Sequence, residues 1–360
     1  MSSSTSSSSQ HRRYVIILTA ITFIPASLLF ALGVYLQPLQ GDLTRVGMFS
    51  ERDFGWNKPQ VIFKQPLYTS GLYRNYHDIV VLGDSFSWGW PEYQWQNYLA
   101  ATTGASIMTL DIKKTSWQDV LRNPVFLEAP PKLLIVSMVE RLFPLQMRDK
   151  IPCTQSQPHS KASLTLPNAR WGNLSRHTRT IERNTHWNDV KLEFVWRYIW
   201  KQVRHGQKSK DASGVKKVRL TTGKLFSSEN REHMLILADD IAKSSLWRNL
   251  NMSETTCTIE KMRQQVEANG KTRFVLLLAP DKLTAYADHI HPGEAEFSSQ
   301  LSDLASRHAK VMPRIDLALT RAIHQGKEDV YLPNDTHWGS NGHRVVATTL
   351  LDFLKNATSE

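Results

Sequence analysis

Hydrophobic residues form one long run near the N-terminus and several short runs further along the chain. Residues 14–36 include 23 consecutive residues without a charge, which would form a helix about 34 Å long, enough to cross the apolar core of a bilayer. The run is longer than the apolar region of a cleaved signal peptide, and no convincing small-x-small cleavage site follows it. We therefore expect an uncleaved membrane anchor over residues 14–36 rather than a buried core helix.

The charges beside this run predict its orientation. Arg12 and Arg13 precede it, and no Lys or Arg follows until Arg45. Because basic flanks stay on the cytoplasmic side, residues 1–13 are expected to be a cytoplasmic tail and the rest of the chain to lie outside the cytoplasm. That location argues against nucleic acid as a partner, and it permits a disulfide between Cys153 and Cys257 without showing that the two are close.

After a polar and aromatic lead-in at residues 37–77, short apolar runs alternate with helical segments. The runs predicted as strands are 78–85, 106–111, 132–139, 273–279 and 310–316. Continuous apolar runs of this length are typical of strands that are covered on both faces in a parallel sheet. Helices are predicted from Pro91 to Gly104, from Ser253 to Gly270 and after Ser340. The pattern predicts a three-layer α/β/α domain over residues 78–355.

Charge is distributed unevenly over the chain. The 360 residues include 44 Lys or Arg and 33 Asp or Glu, for a net charge of +11. Residues 141–230 contain 18 of the basic residues and 6 of the acidic ones, and an amphipathic helix is predicted within them near 186–205. We interpret this segment as a basic insertion in the α/β domain. Its charge would attract an acidic polymer or lipid headgroups, or the segment is simply a solvated surface.

Two short motifs supply candidate catalytic residues. Gly-Asp-Ser-Phe-Ser at 83–87 follows the first predicted strand, where the start of a helix would provide N–H groups for an oxyanion. Asp335-Thr336-His337-Trp338 follows the last predicted strand, and its spacing lets Asp335 orient His337. Each motif has an ordinary interpretation, as a turn or a helix cap. Because both fall at one edge of the same predicted sheet, we interpret Ser85, His337 and Asp335 as a Ser-His-Asp triad.

These motifs resemble those of the SGNH/GDSL hydrolase superfamily. The segments at 279–289 and 335–347 are similar to the branch that contains the periplasmic alginate O-acetyltransferases. The resemblance implies transfer of acyl groups, usually acetyl, to an exported polysaccharide through an acyl-enzyme on Ser85. It also implies a partner that brings the acyl group across the membrane, such as a membrane-bound O-acyltransferase, and a single-pass protein of the inner membrane with a periplasmic catalytic domain. No cofactor or metal is implied.

The remaining site predictions concern the oxyanion and the substrate. The superfamily completes its oxyanion hole with a Gly after the second strand and an Asn after the third, whereas this chain has Thr115 and Arg141 near those places. The backbone N–H of Ser85, with Thr115 or Arg141, is the candidate oxyanion donor set. Trp88 and Trp90 are candidates for sugar stacking, although aromatic residues there also suit a core. Lys282 and Tyr286, within the segment similar to the alginate branch, are further substrate-binding candidates.

Two other functions fit the same residues. An esterase that removes acyl groups would use the same triad and differ only in passing the acyl group to water. A non-catalytic scaffold of polysaccharide export would use the basic insertion to bind polymer, with the triad as a vestige.

Overall fold

The computed structural model describes residues 6–147, 174–205, 211–212 and 214–356. Cys153 and much of the basic insertion lie outside these residues, so the disulfide stays a prediction. The helices are α1 (Ser6–Leu36), α2 (Asp42–Gly47), α3 (Glu51–Phe54), α4 (Trp95–Thr103), α5 (Trp117–Arg122), α6 (Pro124–Glu128), α7 (Phe143–Gln146), α8 (Leu192–His205), α9 (Ala238–Arg248), α10 (Met252–Glu267), α11 (Lys282–Ala285), α12 (Leu301–Arg307), α13 (Ile315–His324) and α14 (Ser340–Asn356). The strands are β1 (Gln60–Phe63), β2 (Thr69–Ser70), β3 (Ile79–Gly83), β4 (Ile107–Asp111), β5 (Leu133–Val139), β6 (Thr178–Ile181), β7 (Asp211–Ala212), β8 (Val215–Arg219), β9 (His233–Leu237) and β10 (Arg273–Ala279).

A parallel sheet in the order β10-β5-β3-β4-β2 forms the centre of the fold. Four of the predicted apolar runs become β3, β4, β5 and β10, and each of them is buried along nearly its whole length. The side chains of Ile79 and Val81 on β3 belong to one core cluster, and those of Val80 and Leu82 belong to the cluster on the opposite face. The predicted α/β class with a central parallel sheet is confirmed.

Helices cover both faces of this sheet and complete three layers. On one face, α4, α13 and α14 pack with the strands in a cluster that includes Trp95, Leu319 and Leu350. On the other face, α5, α6, α10 and α12 contribute to a cluster that includes Phe126 and Ile259. This arrangement leaves the carboxyl ends of the strands as an open edge, where ligands bind in sheets of this kind.

The run at 310–316 is not a strand, so that prediction is wrong. Its backbone is joined to the sheet by a hydrogen bond in which the Leu276 N–H donates to the Val311 carbonyl at 2.9 Å, and Val311 and Met312 pack in the core on one face of the sheet. Pro313 has no N–H to extend a ladder, and α13 begins two residues later. The fifth strand is instead the short β2 at the other edge, which pairs with β4.

The predicted helices form with shifted starts. α4 begins at Trp95 rather than Pro91 and ends, as expected, at Gly104, whose φ of 69° suits glycine. α10 is capped by Asn251 rather than Ser253, because the Asn251 side chain accepts from two backbone N–H groups of the first turn.

The N-terminal helix and the basic insertion pack beside the α/β domain. α1 contains a 28-residue segment, Ser9–Leu36, that is long and apolar enough to cross a membrane. In the insertion, β6 pairs with β1 of the lead-in, and β8 pairs antiparallel with β9. The amphipathic segment becomes α8, which packs against the end of α1.

Candidate active site

Ser85, Asp335 and His337 line one cavity of about 320 Å³ at the carboxyl edge of the sheet. Three parts of the chain meet there: the turn after β3, the loop before α14, and the segment around α2. Trp56, Trp90 and Tyr93 add aromatic surface to the cavity, and Arg45 adds a guanidinium. The sequence motifs 250 residues apart therefore meet at one place, as predicted for the edge of a parallel sheet.

The turn that carries Ser85 is held by its neighbour Asp84. The Asp84 carboxylate accepts from the N–H groups of Phe86, at 3.0 Å, and Val139, at 2.6 Å. Its carbonyl accepts from the N–H groups of Ser87, at 2.9 Å, and Trp88, at 2.6 Å. These bonds tie the turn to the end of β5 and fix the direction of Ser85.

This turn is not the start of a helix, which corrects the sequence-based prediction. It makes one helical turn and stops, and α4 begins ten residues beyond Ser85. Within the described residues, the Ser85 backbone N–H donates no hydrogen bond, so it is available as an oxyanion donor.

Gly83 makes the tight turn possible because a side chain there would collide with Ser87. Ser87 itself is buried, where its hydroxyl donates to the Ser137 hydroxyl at 2.9 Å and accepts from the Trp95 indole at 3.2 Å. The two serines of the motif thus differ in role, since Ser87 fixes the turn from inside and Ser85 faces the cavity.

Asp335 and His337 form the acid–base pair that their spacing predicts. The Asp335 Oδ1 lies 2.6 Å from the His337 Nδ1 and also accepts from the His337 backbone N–H at 3.0 Å. Nδ1 is therefore the protonated ring nitrogen when the imidazole is neutral, which leaves Nε2 as the base. Nε2 is buried and has no hydrogen-bond partner among the described residues.

No hydrogen bond joins the Ser85 hydroxyl to His337 in the described residues. Both side chains line the cavity, and the Phe86 ring next to Ser85 packs 4.9 Å from the His337 ring. Hydrogen bonds between a nucleophile and its base often tighten only when substrate binds. The three predicted residues lie together in the structure. Of the two hydrogen bonds of a triad, the one between Asp335 and His337 is present.

A second carboxylate, which the sequence motifs did not predict, also lies at this site. Asp42, at the start of α2, accepts from the Thr336 N–H at 2.9 Å and from its hydroxyl at 2.5 Å. Its own N–H donates to the other carboxylate oxygen of Asp335 at 3.0 Å, and its Oδ2 lies 3.9 Å from the His337 Nδ1. Asp42 lies in the lead-in, 293 residues before Asp335, where no local pattern distinguishes it from an ordinary helix N-terminus.

The lead-in also binds the loop through Asn334. The Asn334 carbonyl accepts from the Leu43 N–H at 3.1 Å, and its side-chain amide donates to the buried Glu51 carboxylate at 2.9 Å. Gly41 approaches the same carbonyl so closely that a side chain would not fit. The segment just after α1 is therefore a structural part of the site.

These carboxylates set the protonation of His337. Burial opposes a charge on the imidazole, but the hydrogen bond and charge of Asp335, together with the charge of Asp42, raise the pKa of His337 above its usual value. The pKa of Asp42 is raised, by burial and then by the Asp335 charge. The pKa of Asp335 is lowered because its hydrogen bond and ion pair with His337 outweigh burial.

Asp42, Asp335 and His337 are also the residues best placed to hold a metal, since their ligand atoms lie within 4.8 Å of one another. The 2.6 Å contact between the Asp335 Oδ1 and the His337 Nδ1 is a hydrogen bond, which engages one carboxylate oxygen and one ring nitrogen of this group. The observed arrangement is that of an acid–base pair, in which the carboxylates orient and charge the imidazole.

Two residues that were predicted to bind substrate are instead buried inside the protein. Lys282 is buried, and its Nζ donates to the carbonyls of Leu332, Pro333 and Asp335 at 2.8, 3.0 and 3.2 Å. Tyr286 is buried between other aromatic side chains. Neither side chain lines the cavity, so we assign no substrate contact to either residue.

The other candidates are divided between the cavity and its surroundings. Trp90 lines the cavity and is exposed, whereas Trp88 is half-buried and outside the lining. Thr115 lines a separate cavity of about 140 Å³. Arg141 donates to the buried Asp281 carboxylate at 2.5 Å, which commits its guanidinium to a cluster of buried charges. Of the predicted oxyanion donors, the cavity contains Ser85.

The parallel sheet, the serine turn after β3 and the Asp-x-His loop before α14 form an α/β domain with its candidate site at the carboxyl ends of the strands. Residues 235–360 match the family described as the SGNH hydrolase-like domain of the acetyltransferase AlgX. The matched part runs from β9 to the C-terminus and includes Asp335 and His337 but not Ser85. It confirms the resemblance to this branch and supports a function of acetyltransferase or hydrolase type. No curated protein and no solved structure shows significant similarity to the chain.

Proposed function

We propose that the protein is an O-acyltransferase that transfers acetyl groups to hydroxyls of an exported polysaccharide through an acyl-enzyme on Ser85. The observation that supports this most directly is the Asp335–His337 pair, whose Nε2 is without a partner in the cavity that also contains Ser85. In this proposal α1 is a single anchor in the inner membrane, and the cavity lies on the periplasmic side.

The reaction has two half-reactions. His337 Nε2 takes the proton of the Ser85 hydroxyl as its oxygen bonds to the acyl carbonyl of the donor, and the N–H of Ser85 binds the oxyanion. The donor's leaving group departs with the proton from His337, which yields an ester on Ser85. A sugar hydroxyl then loses its proton to His337 and attacks that ester, and the proton returns to Ser85 as the acetylated sugar leaves.

The position of the cavity suits a donor that arrives from the membrane. Gln40 lines the cavity and lies four residues beyond Leu36, the last residue of α1. Four extended residues reach about 14 Å at most. Because activated acyl groups are made in the cytoplasm, a membrane-bound O-acyltransferase that passes the acyl group across is the partner we propose.

The rest of the lining suits a sugar acceptor. Trp90 and Tyr93 lie with their ring centroids 5.9 Å apart, and Trp90 is 68% exposed, so a sugar ring can stack on its face. Arg45 would attract a carboxylate on an acidic polymer, and the basic insertion at 141–230 would extend that attraction.

A comparison of two serine variants in cells tests the proposal. Ser85→Ala removes the proposed nucleophile, and acetylation of the polymer is expected to disappear. Ser245→Ala is the matched control, because Ser245 is exposed on α9 and its hydroxyl donates to a carbonyl of its own helix, at 3.0 Å. Unchanged acetylation by Ser85→Ala, at equal protein level, would overturn the proposal and favour a scaffold.

An esterase is the second candidate, since the Asp335–His337 pair could activate water in place of a sugar hydroxyl once Ser85 is acylated. The purified protein should release acetate from a chromogenic acetyl ester in either case. Added oligosaccharide distinguishes the two, because a transferase will move the acetyl group onto the sugar and an esterase will release it to water.

A further inference from the structure

A stripe of exposed apolar side chains runs along α8. Leu192, Trp196, Trp200 and Val203 are 48%, 58%, 53% and 74% exposed. At 100° per residue they lie within an arc of about 80° on one side of the helix. Large apolar side chains in such a row are unusual on a surface that faces only water.

The opposite side of α8 is fixed to the protein. Phe194 is buried in a cluster with Leu36 and Met48, and Val195 is fully buried. The Lys201 Nζ donates to the Gly47 carbonyl at 2.6 Å and lies 3.7 Å from the centre of the Phe49 ring. The exposed stripe is therefore held in a defined direction, and α8 cannot turn it inward.

The stripe begins beside the outer end of α1. The Trp187 ring, just before α8, contacts the Phe30 ring at 6.0 Å between centroids, and Gly33 lies against Val190 and Val195. Phe30 is six residues, or about 9 Å, from the end of α1. A bilayer that contains α1 would thus place this contact near its interface, the depth that tryptophan prefers.

Basic side chains flank the stripe. Arg197 is 57% exposed, one turn from Glu193, and the Arg204 guanidinium lies 5.4 Å from the centre of the Trp200 ring. A helix with tryptophan and leucine on one side and arginine beside them is typical of helices that lie in the membrane interface.

We propose that α8 lies in the outer interface of the membrane that holds α1, with Trp196 and Trp200 inserted among the phospholipid headgroups. The inference rests on the proposed anchor. It adds a second contact with the bilayer, which fixes how the α/β domain sits above the membrane rather than leaving it free to rotate about α1.

Full-length protein in phospholipid nanodiscs tests this contact. Nanodiscs are prepared with ordinary lipids or with lipids brominated on their acyl chains, which quench nearby tryptophan. The region Ser6–Leu36 contains no tryptophan, so quenching reports on the rest of the chain. We expect wild-type fluorescence to be quenched and the W196F/W200F double variant to lose the larger part of that quenching.

Trp117→Phe is the matched control, because Trp117 packs with the core cluster on one face of the sheet, apart from the cluster that joins α1 and α8. It should leave the quenching unchanged, and unaltered circular dichroism would show that the double variant is folded. Failure to enter nanodiscs would overturn both the anchor and this inference. Entry with equal quenching of wild type and double variant would overturn the inference alone and indicate a protein partner for the stripe.

Discussion

Asp42 accepts two hydrogen bonds from Thr336, the residue between Asp335 and His337. The distances are 2.9 Å from the backbone N–H and 2.5 Å from the hydroxyl. The proposed catalytic loop, residues 332–338, is therefore fixed by a residue that lies only six positions beyond the end of α1. This contact links the presence of the lead-in to the geometry of the proposed base.

Replacement of Asp42 should lower activity and change its pH dependence. Asp42→Ala removes both acceptors of Thr336 and should lower kcat about tenfold, the effect of a lost hydrogen bond of about 1.4 kcal/mol. Asp42→Asn retains one acceptor oxygen and should recover part of that loss. Because the Asp42 charge raises the pKa of His337, both variants should shift the acid limb of the rate profile to lower pH. If the acid limb of the rate profile did not shift in these variants, the role of Asp42 would be structural only.

Asp335→Asn should lower activity more than the Asp42 variants do, and it should shift the acid limb of the rate profile in the same direction. The carboxylate orients the imidazole and raises the pKa of His337. In the proposed triad the amide should therefore lower kcat by about 10⁴-fold. His337 acts as a base only when it is neutral. Its lower pKa in the variant should therefore move the acid limb further down in pH than Asp42→Asn does, as measured with a small acetyl ester. If Asp335→Asn shifted the acid limb less than Asp42→Asn does, Asp335 would not be the main carboxylate partner of His337.

Lys282→Met should destabilise the protein and loosen the catalytic loop. The substitution leaves three carbonyls of the loop without their donor, at a cost of about 1–3 kcal/mol. Lys271→Met, at an exposed lysine, is the control and should change the free energy of unfolding little.

The difference in stability between wild type and Lys282→Met should depend on pH. Burial lowers the pKa of Lys282 to about 7, whereas an unfolded lysine titrates near 10.4. Between these values the unfolded chain binds more protons, so the Lys282 contribution to stability should increase as pH rises from about 7 to about 10. Denaturant unfolding should show a gap between wild type and Lys282→Met that widens over this range. A gap that stays constant over this range would show that the Lys282 ammonium remains charged in the folded protein and would contradict the prediction.

Asp78 should contribute to stability without affecting the site. Its carboxylate accepts from the Ser106 N–H and hydroxyl at 3.0 and 2.9 Å and pairs with Lys132 at 2.9 Å, joining the starts of β3, β4 and β5. Asp78→Asn should lower the free energy of unfolding by about 1–2 kcal/mol at neutral pH. Equal activity of the folded variant is expected, because these residues lie at the edge of the sheet opposite the cavity.

The pKa of Asp78 is lowered to about 2, because the hydrogen bonds from Lys132 and Ser106 outweigh its partial burial. The stabilisation is therefore complete above about pH 4 and is lost as pH falls toward 2. Urea unfolding of wild type and Asp78→Asn should converge over that interval. A constant difference would exclude the carboxylate charge as its source.

Local sequence patterns predicted the parts of the fold and site that depend on neighbouring residues. The strands β3, β4, β5 and β10 follow from apolar runs, and the Asp335–His337 contact follows from a spacing of two residues. The run at 310–316 contains Pro313 and three charged residues. Its position beside the sheet results from tertiary packing, which a pattern of apolar residues does not reveal.

Contacts between distant parts of the chain were not predictable in this way. Asp42 and Glu51 reach the catalytic loop from the lead-in, across nearly the whole length of the sequence. Lys282 was predicted to bind substrate, whereas in the structure it is buried and its Nζ donates to three backbone carbonyls. The sequence places a lysine there, and only the fold shows that its ammonium faces three carbonyls rather than a substrate.

The short connection between α1 and the cavity has a kinetic consequence. If α1 is held in the bilayer, the cavity stays within a thin layer above the lipid surface, and its encounters with a membrane-held donor take place in two dimensions. The rate of acyl transfer would then follow the number of donor molecules per unit area of membrane rather than their concentration in the periplasmic volume, and dilution of the compartment would leave it unchanged.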